Sequence, residues 1–408
     1  MPPPSSLGWI DFSATDRDAI KQALDQVRQK GAVDELGIGI VRDAFANHLF
    51  PGFSTIQTRA KYFVTVPHMV ADYLYQKRHV RQETALSKYL EHQEEWLGKE
   101  LVGERLPQHL SNESGIFGAD VVRKPYSVYW NGLRQLGIIN TDLSVRQFEQ
   151  QIAASAGEIE ADHEDDAVGV DAPAAQFGVQ LPEAESWDES LRYGIHLSPS
   201  EAGFLKRKLQ QMPEKTIPFQ LYQQDSEVFD KAISCKSFQS LHYYLNEAAH
   251  LPEKVANILR LAREFSNVIY GAHIRFNLVL TRVHGRDHLH NAIHKDQWQQ
   301  WLHEGYKPDD LSEATADNWL AHVAPNVDTE TRTFLRDWCR RAGANAEEKE
   351  LDDLIIHRIK SIKGQRSLYY RGLKDAFNWA GMSELSFRWP NVRTILLDVE
   401  GKDTDTDA

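Results

Sequence analysis

Apolar residues in the second half of the chain recur every three or four positions, and that spacing constrains the fold more than any other feature. Ala202, Leu205, Leu209 and Met212 fall on one helical face, as do Phe238, Leu241, Leu245 and Ala248. A longer run opens at Pro252 and carries Val255, Ile258, Leu259, Ala262 and Ile269, with a break expected at Gly271. Leu351, Leu354, Ile355, Ile359 and Ile362 predict another helix, and Leu368, Leu373, Ala376, Phe377 and Ala380 one more. Ser198-Pro199-Ser200-Glu201 is a helix start, with Ser198 as cap, Pro199 in the first turn and Glu201 closing a capping box. The clearest strand is the apolar run Val392–Val399 behind Pro390. Strand signals are too few for a doubly wound sheet. The expected fold is mainly α and multi-helical, with helix-turn-helix or winged-helix-like elements and small sheet pieces.

Charge is distributed unevenly. The formal net charge is −13, yet residues 151–200 hold eleven acids against Arg192 alone, a net of −10. Residues 394–408 add −4, so the remainder of the chain stands near +1. A surface so close to neutral can carry local basic patches, because salt screens fields beyond about 8 Å. The acidic stretch is also rich in Ala, Gly and Pro and poor in large apolar residues, the composition of a solvated linker. The expected organisation is an N-terminal helical domain over 1–150, an acidic flexible linker over 151–190, a C-terminal helical domain over 191–395 and a disordered acidic tail over 396–408.

No stretch approaches about 18 uncharged apolar residues, so no membrane span is expected. Met1-Pro2-Pro3-Pro4-Ser5-Ser6 lacks a basic region followed by an apolar run, and two cysteines, Cys235 and Cys339, make no disulfide framework. These features predict a cytoplasmic protein.

Two segments have the residue types of a DNA-reading element. Gly37–Leu49 is expected to form a helix, Phe50-Pro51-Gly52-Phe53 a turn, and Ser54 the cap of a second helix reaching Phe63, with Pro67 ending it or starting the next. Helix, tight turn and polar helix is the layout of a helix-turn-helix. Its second helix would present Thr55, Gln57, Thr58, Arg59 and Lys61, and no acid occurs between Ala44 and Ala71. The competing reading is a hairpin whose polar face meets water. In Pro125–Gln151, Tyr126, Tyr129, Trp130, Leu133 and Leu136 sit at helical spacing and Gly137 closes the helix, with Ser144 capping the next. That pattern is common in winged-helix cores, and Arg123, Lys124 and Arg134 supply charge, although packing alone explains the aromatics.

The densest basic patch is Leu354–Lys374. It holds Arg358, Lys360, Lys363, Arg366, Arg371 and Lys374, the pair Tyr369-Tyr370 and no acid. Lysines and arginines at a turn between helices suit phosphate, and exposed tyrosines suit base stacking. The alternative is a pair of solvated faces neutralised by acids elsewhere, Asp352-Asp353 or the linker.

Three further leads are weaker. His284, His288, His290 and His294 crowd one loop-like segment, but no carboxylate completes a His-Glu-x-x-His arrangement, so surface histidines are expected and no metal. Gly37-Ile38-Gly39-Ile40-Val41-Arg42 lacks the third glycine and the preceding strand of a dinucleotide loop. Asp398-Val399-Glu400-Gly401-Lys402 resembles part of a nuclease Glu-x-Lys motif, but too few residues follow to complete a metal-holding core.

Leu7-Gly8-Trp9-Ile10-Asp11-Phe12-Ser13, Asp34–Phe45, Leu49–Phe63 and Val66-Pro67 together resemble an uncharacterised bacterial family classed as a domain of unknown function. The resemblance runs nearly full length and is firmest over the first 70 residues. It implies a bacterial protein from mobile-element or phage-defence neighbourhoods, with no catalytic residues to carry over. The expected function is therefore a non-catalytic subunit of an anti-phage defence or DNA-transaction complex. It would bind DNA, other defence-complex proteins or both, without a cofactor. Arg59, Lys61, Arg123, Lys124, Arg134, Arg358, Lys360, Lys363, Arg366, Arg371 and Lys374 are the candidate phosphate contacts. The alternatives are a protein-interaction scaffold, for which ten Trp and fourteen Tyr would serve as anchors, and a metal-dependent nuclease using Glu400 or the histidines.

Overall fold

A computed structural model of the chain describes residues 34–76, 78–104, 124–155, 172–182, 196–285, 288–305, 311–372 and 379–402. Helices dominate the described residues. The strand-like pairing there is an isolated antiparallel bridge between Ile139 and Val179, and no sheet forms. No described helix is long and apolar enough to cross a membrane.

The helix starts follow local chemistry. Ser198 accepts the Glu201 N–H at 3.2 Å while the Glu201 carboxylate accepts the Ser198 N–H at 2.8 Å, and helix Pro199–Gln210 follows. Ser144 and Gln147 do the same for Val145–Ala154. Asp225 and Asp328 cap Ser226–Ser234 and Thr329–Gly343 through the N–H groups of Val228 and Thr331. Each cap satisfies N–H groups that a first helical turn leaves without a partner.

Four expectations about elements need correction. Val392–Val399 is not a strand: it lies in helix Trp389–Val399, where Val392, Ile395, Leu396 and Val399 are buried at the i, i+3, i+4, i+7 spacing of a helix face. The helix containing Gly271 is unbroken from Glu253 to Val283. The histidine segment is helical from His288 to Gln300 rather than loop-like. Pro67 lies inside helix Tyr62–Tyr75 instead of at its end.

The described residues form two compact units, each drawing on separate stretches of sequence: 42–265 with 385–402, and 34–41 with 266–384. The first has a phenylalanine core. Phe45 packs against Phe265 and Phe387 with ring centroids 5.3 and 5.8 Å away, and Phe387 meets Phe238 at 4.8 Å. Phe63 and Tyr129 pack edge to face at 4.9 Å. The approach of helix Pro125–Gln135 to Phe63 requires Gly132, where a Cβ would lie 2.6 Å from the Phe63 ring. In the same unit Glu94, on helix Leu86–Glu104, is 2% exposed. Its Oε1 accepts the Tyr126 N–H at 2.5 Å and its Oε2 is buried without a hydrogen-bond partner. Burial pushes this carboxyl up to about 8, against the pull of that N–H and of Lys124, and with Glu91 and Glu95 adding to the rise.

The second unit has a tryptophan core. Trp298 stacks on Trp301 at 4.9 Å, and Trp301 meets Trp338 at 6.3 Å. Both Trp301 and Trp338 donate their indole N–H to carbonyls of helix Glu253–Val283, at Asn267 (2.7 Å) and Val268 (3.1 Å). Arg275, 1% exposed, crosses this core with its guanidinium 4.9 Å from the Trp298 ring and ends on Asp352 and Glu348.

Candidate nucleic-acid interface

The polar block Ser54–Lys61 is where a second helix was expected, and it is turns and irregular backbone instead. Gln57, Arg59 and Lys61 are buried, while Thr55 is exposed. Gln57, 1% exposed, accepts the Ser54 N–H at 3.0 Å and donates to the Gly52 carbonyl at 3.1 Å. The Tyr129 hydroxyl accepts the N–H groups of Thr58 and Arg59 at 2.8 and 3.1 Å and donates to the Arg59 carbonyl at 2.9 Å. Arg59 forms a two-point ion pair with Asp398, at 3.0 and 2.9 Å, and Asp398 also accepts the Ala60 N–H. Lys61 places Nζ 2.7 Å from both carboxylate oxygens of Glu201, the helix-capping acid. The N–H groups of Thr58, Arg59 and Ala60 and the side chains of Arg59 and Lys61 thus find partners distant in sequence, which removes the drive to form a helix here. Arg59 and Lys61 are buried joints within their unit, and the helix-turn-helix expectation loses its reading element.

The winged-helix candidate is used in the same way. Lys124 pairs with Glu95 at 2.8 Å, and Arg134 donates to the carbonyls of Thr141 and Asp142 at 3.0 and 2.9 Å, closing the turn after its own helix. Arg123 lies outside the described residues, as does Lys374.

The patch after Leu354 divides into two kinds of cation. Arg358, 3% exposed, donates to the carbonyls of Leu36 (2.8 Å) and Gly37 (3.2 Å) and to the Thr331 hydroxyl (2.7 Å), with its guanidinium 5.2 Å from the Phe334 ring. Burial draws Arg358 below the usual guanidinium value, while Asp328, Asp34 and Glu330 oppose that shift. Lys363 reaches Glu35 at 3.0 Å, and the second oxygen of Glu35 accepts the Leu368 N–H at 3.2 Å. Asp34 caps helix Gly39–Leu49 through the N–H groups of Ile38 and Gly39. The sequence Asp34-Glu35-Leu36-Gly37 is therefore a clip, and it takes up Arg358 and Lys363. Gly37 permits it: φ is +63°, and a Cβ there would lie 2.8 Å from Ile362. A run without acids in sequence is not without acids in space.

The remaining cations face solvent. Lys360, on helix Glu348–Lys363, is exposed and holds Nζ 5.1 and 5.9 Å from the centroids of Tyr369 and Tyr370. Arg366, in the 3-10 turn Gly364–Arg366, and Arg371, ending the short helix Leu368–Arg371, are exposed. Tyr370 is 43% exposed. The structure brings these four side chains into one short stretch and removes Arg59, Lys61, Arg358 and Lys363 from any interface that needs accessible charge.

The sequence matches the family of unknown function DUF6361 over residues 4–400. The chain belongs to DUF6361. No curated protein and no solved structure matches it.

The weaker leads in this DUF6361 chain resolve into structural contacts. Asp398 is held by Arg59, Glu400 by Lys206 at 3.0 Å, and Lys402 by Asp230 at 2.5 Å, so the Glu-x-Lys resemblance describes three ion pairs at a helix end. His284 contacts the Leu368 carbonyl at 3.1 Å and buried His294 contacts Gln297 at 2.9 Å; the side chains of His288 and His290 lie outside the described set. Among the described residues no three His, Cys, Asp or Glu side chains are placed to hold a metal ion. Sequence reasoning missed Asp34, Glu35 and Thr331 as partners of the basic patch. The available signal was the aspartate five residues before Gly39, a helix-capping pattern.

Proposed function

We propose that this chain is a non-catalytic subunit of a bacterial anti-phage defence or DNA-transaction assembly, and that it touches nucleic-acid phosphates through Lys360, Arg366 and Arg371. The carrying observation is the exposure of those three cations beside an exposed tyrosine, in a chain that buries Arg59, Lys61 and Arg358. The defence setting follows from the family resemblance of the N-terminal motifs. Neutralising three phosphates releases counterions, so affinity for duplex should fall with salt along a log–log slope of about −3. A titration of labelled oligonucleotides between 50 and 200 mM salt, with the Lys360→Ala/Arg366→Ala/Arg371→Ala variant as control, tests it. Binding that survives the triple substitution moves the contact elsewhere; absence of binding by the unaltered chain removes nucleic acid from the reading.

A protein-interaction scaffold is the second reading, favoured by a specific observation: Arg59, Lys61, Arg358 and Lys363 all serve internal contacts, while Trp96 and Tyr243 stand 40% and 65% exposed. Co-purification with products of adjacent genes, together with no nucleic-acid binding at low salt, would select it.

A further inference from the structure

We infer that the nucleic acid taken by this edge is single-stranded, with Tyr370 as the platform for one unstacked base. The inference rests on the phosphate-contact reading above and adds to it the kind of strand. It starts from Tyr370 itself. Tyr370 is 43% exposed, and Tyr369 packs against its ring at right angles, with centroids 5.1 Å apart and planes at 86°. An edge-to-face pair of this kind holds the ring without covering it. A duplex keeps its base faces stacked inside and offers such a ring nothing but groove and backbone. A single strand offers base faces directly.

Lys360 supplies the second observation. Its ammonium lies near both rings, 5.1 and 5.9 Å from their centroids. An exposed cation on a ring is held more weakly than a stacked base. An arriving base therefore displaces the ammonium from the ring and leaves it beside the phosphate of the same nucleotide. Arg366 and Arg371 precede and follow the tyrosine pair in sequence and supply charge for the neighbouring phosphates.

The third observation concerns strand stiffness. Exposed Asp353 stands seven residues before Lys360 on helix Glu348–Lys363, hence on the same face and roughly 10 Å away along the axis. Exposed Glu330 brings a second carboxylate to this helix, where it accepts the Ser361 hydroxyl at 3.1 Å. A duplex is stiff over about 150 base pairs and would carry phosphates past these carboxylates. A single strand turns away from them.

The experiment is fluorescence anisotropy at low salt on the full chain, with labelled oligo-dT, oligo-U and duplex DNA as probes and poly-glutamate as competitor. The proteins are the unaltered chain, Tyr370→Ala, Tyr370→Trp and the Lys360/Arg366/Arg371 triple alanine variant, each checked for folding by circular dichroism. The expected result is tighter binding of single strands than of duplex. Tyr370→Ala should weaken single-strand binding roughly 5- to 150-fold with duplex binding unchanged, and Tyr370→Trp should restore it. The dT and U arms separate DNA from RNA as the source of the strand. Equal or tighter duplex binding, or no effect of Tyr370→Ala, overturns the single-strand inference while the phosphate reading stands. Poly-glutamate competing as well as oligo-dT overturns it in favour of an acidic protein partner. No binding of any nucleic acid overturns both readings.

Discussion

A carboxyl group with one oxygen out of reach of any donor is held more easily neutral than charged, and Glu94 is so placed. Its value in the folded chain, about 8, lies above the ordinary 4.5, so the folded state holds an extra proton between those limits. Stability from this residue is therefore fully present below about 4.5 and declines as pH rises through the window. Replacing it by Gln should flatten that decline and raise stability near pH 8.5 by about 2–4 kcal/mol. Urea midpoints of the two proteins at pH 5 and 8.5 give the comparison; a gap that does not widen at high pH would contradict the assignment. The cations of the basic patch make a second residue-scale test. Arg358→Ala strands the carbonyls of Leu36 and Gly37 and should cost about 3 kcal/mol or more. Arg371→Ala touches only surface and should fall within about 0.5 kcal/mol of the unaltered chain. These two arginines, thirteen positions apart, were indistinguishable in sequence, because what separates them is a clip more than 300 residues away.

At the scale of elements, helix starts were readable wherever the deciding atoms are near in sequence. Ser198 with Glu201 and Ser144 with Gln147 close their boxes within one turn. Ser54–Lys61 was unreadable for the opposite reason. Its composition suits a polar helix, and the partners that draw it into turns and irregular backbone are Tyr129, Glu201 and Asp398. Val392–Val399 misled because a short apolar run satisfies both strand and helix patterns, and only its burial at helical spacing decides. Gly271 was expected to break a helix and instead admits a neighbour: a Cβ there would lie 2.4 Å from the Trp301 indole. Gly271→Ala improves helix propensity yet should destabilise the chain by about 1–3 kcal/mol through overpacking. A thermal melt that rises on this substitution would show that Trp301 can move aside.

For the whole molecule, the acidity that dominates the net charge of −13 is partly structural: Asp398 and Glu400, two of the five acids after residue 393, are tied to Arg59 and Lys206. The unit built on residues 42–265 is completed by the C-terminal stretch from Leu385. Phe387 and Arg388 adopt φ of +47° and +73° there, conformations that non-glycine residues take only when packing enforces them. Arg388 then donates to Asn47 and to the Phe53 carbonyl, at 2.7 and 2.8 Å, and Trp389 to the Cys235 carbonyl at 2.7 Å. Removing residues 385–408 should abolish the cooperative melt of this unit rather than shorten the chain harmlessly. Calorimetry of the truncated protein checks it, and an unchanged transition would refute the dependence. Nothing local in the sequence announces this closure, because these contacts pair the last twenty-five residues with positions roughly 150 or more earlier.

The same closure sets a timetable for synthesis. Phe45 and Phe238 leave the ribosome without Phe387, and Phe50 without Trp389, the aromatic rings that will pack against them. At 5–20 residues per second, the wait between residue 265 and residue 398 lasts roughly 7–27 seconds. Throughout it the nascent chain presents an unfinished, sticky surface, and the protein should need a chaperone's company until translation ends.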